Sequence, residues 1–221
     1  MKKYYVLLLL FGLAMLWSAI NPRNYINLFG ESLPAIIGMV ILVKTFQNFR
    51  FTFFTYCIIL ISCIFIFIGA HYSYARVPLF NDIRDYLGQT RNNFDRLGHL
   101  IQGIIPVLLT REVLIRKQLI TKYQWISFLS FCICLTSTAF YELVEALACW
   151  ISGLELDIFM GTQGDPWDSQ SDMMSAAVGG LITVFLFRKM HDRLIEKEFP
   201  GTFYHFCESG LKTDPTAGQI E

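Results

Sequence analysis

An all-α membrane protein, built as a bundle of six transmembrane helices with both termini in the cytoplasm, is the architecture this sequence predicts. Three observations carry the prediction. The 221-residue chain is 54% hydrophobic and only 16% charged, whereas a soluble domain is about 25% charged. Its apolar residues, twenty phenylalanines among them, fall into runs long enough to cross a bilayer, which takes about 20 residues of helix. Lysine and arginine are concentrated in alternate loops, as the positive-inside bias requires. Formal net charge is zero, so bulk charge points to no nucleic acid and no acidic partner; the partner implied is the lipid bilayer.

The six spans follow in order. The first is "YYVLLLLFGLAMLWSAI", after Lys2 and Lys3. A signal peptide is the competing reading, but cleavage after Ala19 would leave Trp17 where a small residue belongs, so the run reads as a retained helix. The second spans about Leu28 to Val43 and is interrupted only by Glu31, Ser32 and Pro34. The third, "FTFFTYCIILISCIFIFIGA", ends at His71, and the polar stretch "YSYARVPLFNDIRDYLGQTRNN" follows. The fourth runs from Phe94 to Thr110, the fifth from Tyr123 to Ile151, and the sixth from Asp168 to Phe187. Residues 1–190 are thus expected to form one integral membrane domain. Residues 191–221 are expected to form a polar cytoplasmic tail, opened by the amphipathic piece "RKMHDRLIEKEF" and disordered over "LKTDPTAGQIE".

With the N-terminus inside, 13 Lys and Arg residues fall in the cytoplasm and five outside: Arg23, Arg76, Arg84, Arg91 and Arg96. Four of those five crowd into one outer loop, the weakest point of the topology. The six cysteines do not form a metal motif. Cys132 and Cys134 point to different sides of a helix and no second pair completes a zinc site, so they read as small apolar fillers.

This topology places the unusual residues in one layer. "NNFDRLGHLIQG" sets Asp95, His99 and Gly103 four apart, on one helix face. Glu142 and Glu145 lie in the outer third of the fifth span, and Asp165, Asp168 and Asp172 lead into the sixth. At about 1.5 Å per residue, His99 and Asp172 lie roughly 6 Å, and Glu142 roughly 12 Å, below their helix ends. Nothing comparable is expected on the cytoplasmic side. An ionisable residue at the centre of a membrane helix costs about 2.5–3.5 kcal/mol on insertion scales. Several together are tolerable when they face a common polar cavity and are balanced by Arg91, Arg96, the histidines or a cation.

Taken singly, several of these residues have plainer roles. Asp95 is also an acid favoured by a helix N-terminus, His99 a hydrogen-bonded structural histidine, and Asp165 and Asp168 loop and N-cap residues. Glu155 and Asp157 read as solvated loop acids, "GTQGDPW" as a turn, and Gly179-Gly180 as a close-packing site between helices.

The stretches "YARVPLF", "NNFDRLGHLIQGIIPVLLTRE", "YELVEALACW" and "GTQGDPWDSQSDMMSAA" resemble the YjdF family of uncharacterised bacterial inner-membrane proteins, across roughly Met1 to Arg193. More distantly, the pattern is similar to the VanZ-like superfamily. That pattern is D-x-x-x-H-x-x-x-G, matched by Asp95, His99 and Gly103; an acid with a polar partner three residues on, matched by Glu142 and Glu145; and D-x-x-D-x-x-x-N, matched by Asp165, Asp168 and Asp172. Glu145 stands where Gln is usual, Asp172 where Asn is commoner and Ser175 where Gly is, so this site is the more acidic. The resemblance implies an inner-membrane location. It also implies an envelope role, since one VanZ-like member is associated with glycopeptide antibiotic resistance.

Three functions fit these residues. The first is a membrane hydrolase or transferase acting on a lipid-linked or envelope substrate. Asp95, His99, Glu142, Glu145, Asp168 and Asp172 would be its catalytic set. His99, Glu142, Glu145 and Asp172 would hold a divalent cation, with His71, Arg96 and Asp165 in support. The chain has neither H-E-x-x-H nor G-x-S-x-G. The second is an ion- or proton-coupled transporter, and the third a non-catalytic envelope protein whose polar layer only joins helices.

Overall fold

The computed structural model describes residues 1–152, 162–204 and 206, and every regular element among them is helical. Six helices are long and apolar enough to cross a membrane: Lys2–Ala19 (α1), Tyr25–Thr45 (α2), Phe53–Tyr72 (α3), Phe94–Arg116 (α5), Tyr123–Ser152 (α6) and the segment Asp168–Glu198. The last comprises α7 (Asp168–Ile182), a π turn at Thr183–Phe187 and α8 (Arg188–Glu198). Between α3 and α5 a 3-10 turn at Tyr74–Arg76 leads into a short helix, α4 (Pro78–Tyr86). The expected loops Glu155 and Asp157, the residue Cys207 and the end of the tail lie outside the described residues.

Local chemistry sets the helix starts. The Asn24 side chain accepts from the amides of Ile26 and Asn27 at 2.8 and 3.3 Å, capping α2. Thr52 does the same for α3, accepting from Thr55 N at 3.3 Å. Pro78 opens α4, where its missing N–H costs nothing. Leu79, Ile83 and Tyr86 on α4 are exposed, a pattern suited to a helix lying along the membrane surface.

The helices pack as two groups of three, α1–α2–α3 and α5–α6–α7, joined where α3 meets α5. Phe11 of α1 packs edge-on against Phe67 of α3, 5.2 Å between ring centres, above Ile59, Leu60 and Cys63. Val107, Cys134 and Val184 seal the second group at mid-depth, and Ile115, Ile126 and Ile195 seal it nearer the other end. Leu9, Leu13 and Leu16 of α1 and Phe185 and Leu186 on the π turn face outward, each more than half exposed. Such a surface is stable in lipid and not in water. All four tryptophans are exposed near span ends, as in an interfacial aromatic belt.

α5 and α7 approach each other very closely. A methyl group added at Gly103 would stand 2.0 Å from the carbonyl oxygen of Ala176, and one at Gly179 would stand 1.9 Å from that of Leu100. Backbone therefore lies on backbone, the arrangement small residues permit between membrane helices. The expected packing role of Gly179 is thereby located. Gly180 meets α6 instead: its added methyl would be 2.9 Å from Cys134 Sγ. That thiol donates to Gly103 O at 3.2 Å.

Two spans are longer than the hydropathy indicates. The fourth continues past Thr110 through Arg116, and the sixth past Phe187 through Glu198. In both, charged residues that look like a cytoplasmic boundary are buried: Arg111, Glu112 and His191 have no exposed surface. The piece assigned to the tail thus continues the sixth span, with His191 and Ile195 turned inward. Lys3 Nζ lies 4.0 Å from Glu198 Oε1 and Tyr4 Oη 3.5 Å from Glu198 Oε2, so the start of α1 and the end of α8 occupy the same side.

Gly103→Leu forces α5 from α7 against unyielding backbone. It is expected to cost at least the upper end of the roughly 1–3 kcal/mol typical of overpacking, read as loss of thermal stability in detergent. Gly12→Leu, whose added methyl meets nothing within 4 Å, is expected to melt like the native protein. A reporter active only outside the cytoplasm, inserted at Gly88, is expected to be active; after Glu198 it is expected to be silent.

Candidate functional site

The α5–α7 crossing sets the register of the site. Gly103 faces Ala176; one turn toward the end of the bundle away from Lys3 and Glu198 come His99 and Asp172, and one turn further Asp95 and Asp168. The shared spacing of four residues on two parallel helices brings the acids of one onto the histidine of the other. Asp95, His99 and Asp172 each present a ligand atom within 4.8 Å of the others, and all three are buried. His99 Nε2 is 3.5 Å from Asp95 Oδ1, and His99 Nδ1 is 3.8 Å from Glu142 Oε1 on α6. No hydrogen-bond partner meets His99 Nδ1, Glu142 Oε1 or Asp172 Oδ1, although each atom is cut off from solvent. Buried polar atoms are ordinarily paired, so three orphans in one place are the strongest local sign of a binding site.

Arg91 and Arg96 explain why so many acids are tolerated. Arg91 forms a close ion pair with Asp168, bonds Thr162 O at 2.7 Å and stands 4.0 Å from Asp165. Arg96 binds Asp165 at 2.7 Å. Charges that looked misplaced under the positive-inside bias are thus counter-ions to the acids of the α6–α7 loop. The loop is held further by a reciprocal amide pair: Asn92 N donates to Gln163 Oε1 at 2.9 Å, and Gln163 Nε2 to Asn92 O at 3.0 Å. Asn92 Nδ2 also reaches Val77 O and Asn81. Gln163 and Gly164 both have positive φ, 53° and 77°, the turn that "GTQGDPW" encodes. Asp165 Oδ1 accepts from Trp167 N at 2.9 Å, closing the entry to α7.

Beside this group lies a cavity of about 380 Å³ between α2, α3, α5 and α6. Asp95 and His99 form part of its wall, with Glu31, Glu145, Tyr74 and Tyr141 at the same end. Glu31 went unrecognised in the sequence as a site residue; its only signal was an acid interrupting an apolar run. Tyr74 reaches the cavity because Gly69 leaves room: a methyl at Gly69 would sit 2.5 Å from the ring. Burial pushes the Tyr74 hydroxyl well above the usual tyrosine range, and the carboxylates of Glu31, Asp95 and Glu145 push it the same way. It is therefore an O–H donor facing acids.

The residues singled out from the sequence separate into groups. Asp95, His99 and Asp172 converge, and Glu142 flanks them. Glu145 turns to the cavity, hydrogen-bonded to Tyr141. Asp165, Asp168 and Arg96 belong to the arginine clamp. His71 stands apart, with Nδ1 3.0 Å from Ser18 O and its ring stacked on Trp17, tying α3 to α1.

The expectation that nothing comparable lies at the other end is corrected by the structure. Glu112 accepts from Thr52 Oγ1 at 2.7 Å, Thr55 Oγ1 at 2.6 Å and Thr52 N at 2.9 Å, and lies 3.2 Å from His191 Nε2. Arg111 donates to Ser127 at 2.9 Å, Tyr123 at 3.1 Å and Asp192 at 2.5 Å. These residues resemble interfacial charges because they end helices; only the neighbouring helices show that they are enclosed. Unlike the outer acids, both Glu112 oxygens are bonded, so this cluster fastens α3, α5, α6 and α8 together.

Among known proteins, residues 3–193 match the family described as a predicted membrane protein, DUF2238. The chain is 35% identical over 185 residues to the inner membrane protein YjdF of Escherichia coli (strain K12), covering 84% of this chain and 88% of that protein. No solved structure matches.

Removing one partner of a buried ion pair strands the other. Arg91→Ala is expected to cost roughly 3–5 kcal/mol in denaturation of the detergent-solubilised protein. Adding Asp168→Asn to that variant is expected to recover part of the loss, because the stranded charge is gone.

Proposed function

This chain belongs to the DUF2238 family of membrane proteins, and we propose that it acts in the inner membrane as a metal-dependent hydrolase or transferase on a lipid-linked or envelope substrate. The observation that carries the reading is the convergence of Asp95, His99 and Asp172 within 4.8 Å, with buried atoms left without hydrogen-bond partners. Two carboxylates and an imidazole suit a divalent cation of the Mg²⁺, Mn²⁺ or Zn²⁺ kind. Such an ion would compensate acids whose nearby arginines are directed to Asp165 and Asp168. Once bound, it would lower the pKa of a water or polarise a phosphoryl or acyl oxygen.

The remaining roles follow from placement. Glu142, beside His99 with one oxygen unpaired, is positioned as general base. The arginine clamp and the Asn92–Gln163 pair position Asp168, and through α7 Asp172. The positive-inside bias supports an outer-leaflet position for this end of the bundle. The resemblance to VanZ-like proteins, in the same Asp95, His99 and Asp172 positions, supports an envelope role.

The transporter reading gains from the inner cluster, since ionisable groups now occupy both ends of α5. Against it, His99 and Glu112 are separated by roughly 20 Å of helix, closed at mid-depth by Val107 and Leu108, neither with any exposed surface. A site served from one side fits that barrier better.

Purified native protein is expected to hold about one divalent ion per chain, and His99→Ala and Asp172→Asn to lose it while remaining folded. Glu142→Gln is expected to keep the ion and lose function in a cell-envelope stress assay, consistent with the roughly 10²–10⁴-fold contribution of a general base. No stoichiometric metal in the native protein, with both metal-site variants fully functional, would defeat the proposal.

A further inference from the structure

The cavity beside the acid–histidine group extends well beyond it. From Glu31 and Asp95 at its polar end it runs inward between α2 and α5, past Gly38, Leu42, Ile105 and Leu109. Glu31 to Leu42 is eleven residues of helix, roughly 16 Å, close to one leaflet's share of a hydrocarbon core about 30 Å thick. Three packing features leave the space open. α2 packs chiefly on α3. A methyl added at Gly38 meets nothing within 4 Å. Pro34 and Pro106, one on each wall, interrupt the backbone ladders of both helices. The volume of about 380 Å³ is in the range of small-molecule sites, about 300–1,000 Å³.

The two ends of this space differ in chemistry. The deep part is apolar apart from Ser62 and Gln102. The outer part carries the carboxylates of Glu31, Asp95 and Glu145 and the hydroxyls of Tyr74 and Tyr141, and no Lys or Arg lines it among the described residues. Charge complementarity therefore selects a cation. His99, 5% exposed with an unpartnered Nδ1, lies in the wall shared with the candidate metal group.

We propose that this cavity binds an aminophospholipid, its hydrocarbon chain in the trough between α2 and α5, its ammonium group against Glu31 and Glu145, and its phosphate beside Asp95 and His99. The assignment rests on the metal-site reading for the last contact only, since a phosphate next to Asp95 requires a cation between them. Glu31 and Glu145 thereby become specificity residues for the head group, and Gly38 the residue whose small size admits the chain.

The test uses the full-length protein in detergent with equimolar dioleoyl phosphatidylethanolamine and dioleoyl phosphatidylglycerol, and counts lipid retained through gel filtration by native mass spectrometry. The native protein is expected to retain the ethanolamine lipid at least about tenfold over the glycerol lipid, a difference of about 1.4 kcal/mol. Gly38→Phe is expected to lose retention of both, with Gly12→Phe unchanged. The double variant Glu31→Gln, Glu145→Gln is expected to retain lipid and lose the preference. Retention undiminished in Gly38→Phe, a preference undiminished in the double variant, or equal retention of the two lipids by the native protein overturns the proposal. Should Gly38→Phe not fold, native protein carrying phosphatidylethanolamine with a photoreactive group at mid-chain decides the matter. Crosslinks within residues 38–42 and 105–109 support the trough, and crosslinks elsewhere overturn it. Metal content measured on the same samples keeps the two ideas separate: lipid without metal defeats the metal site and, of this proposal, the phosphate contact alone, and metal without lipid defeats only this proposal.

Discussion

Gly103 and Gly179 let α5 and α7 touch backbone to backbone, and the arrangement of the acid–histidine end of the bundle depends on that contact. Side chains of ordinary size at either position would hold the helices apart. His99 and Asp172, one turn above the contact, would then no longer share a site. The contact also fixes register, because a carbonyl seated over a glycine does not tolerate sliding by a turn. The spacing of four residues, repeated at Asp95, His99 and Gly103 and again at Asp168, Asp172 and Ala176, is thus a single geometric device. Its lowest level is packing, its middle level chemistry and its upper level a counter-ion clamp.

Such a concentration of acids must be compensated within the protein, because lipid offers them no water. The structure divides the task. Arg91 and Arg96 pair with Asp168 and Asp165 at the entry to α7. The amide pair of Asn92 and Gln163 holds the same loop to the start of α5. The acids below are left with unpaired oxygens, which is where a cation has most to offer. At the opposite end, Glu112 and Arg111 are also buried, but both Glu112 oxygens are bonded, and Arg111 is held by Ser127, Tyr123 and Asp192. Two clusters of similar composition therefore differ: in one the carboxylate is bonded at both oxygens and joins helices, in the other Glu142 and Asp172 each keep a buried oxygen without a partner.

The openness around α2 belongs to the same arrangement. The α5–α6–α7 group is tightly joined, whereas α2 leans on α3 and leaves a trough against α5. Glu31 then faces the cavity from a helix that otherwise contributes little to the core. The apolar trough and the acidic head of the cavity adjoin the acid–histidine group.

By itself the sequence determined the membrane class, the six spans and the candidate layer of acids and histidine, because hydropathy and helical spacing are local properties. Asp95, His99 and Gly103 could be placed on one face from their spacing alone, and Gly179 recognised as a packing site. The sequence did not determine which acids converge. Glu145 and Glu142 are three residues apart, yet one turns to the cavity and the other to His99, a choice made by the helices around α6. Glu31, Glu112 and His191 were hidden for the same reason. An ionisable residue near a helix end looks alike whether it meets water, lipid headgroups or another helix, and only tertiary packing decides which of these surrounds it.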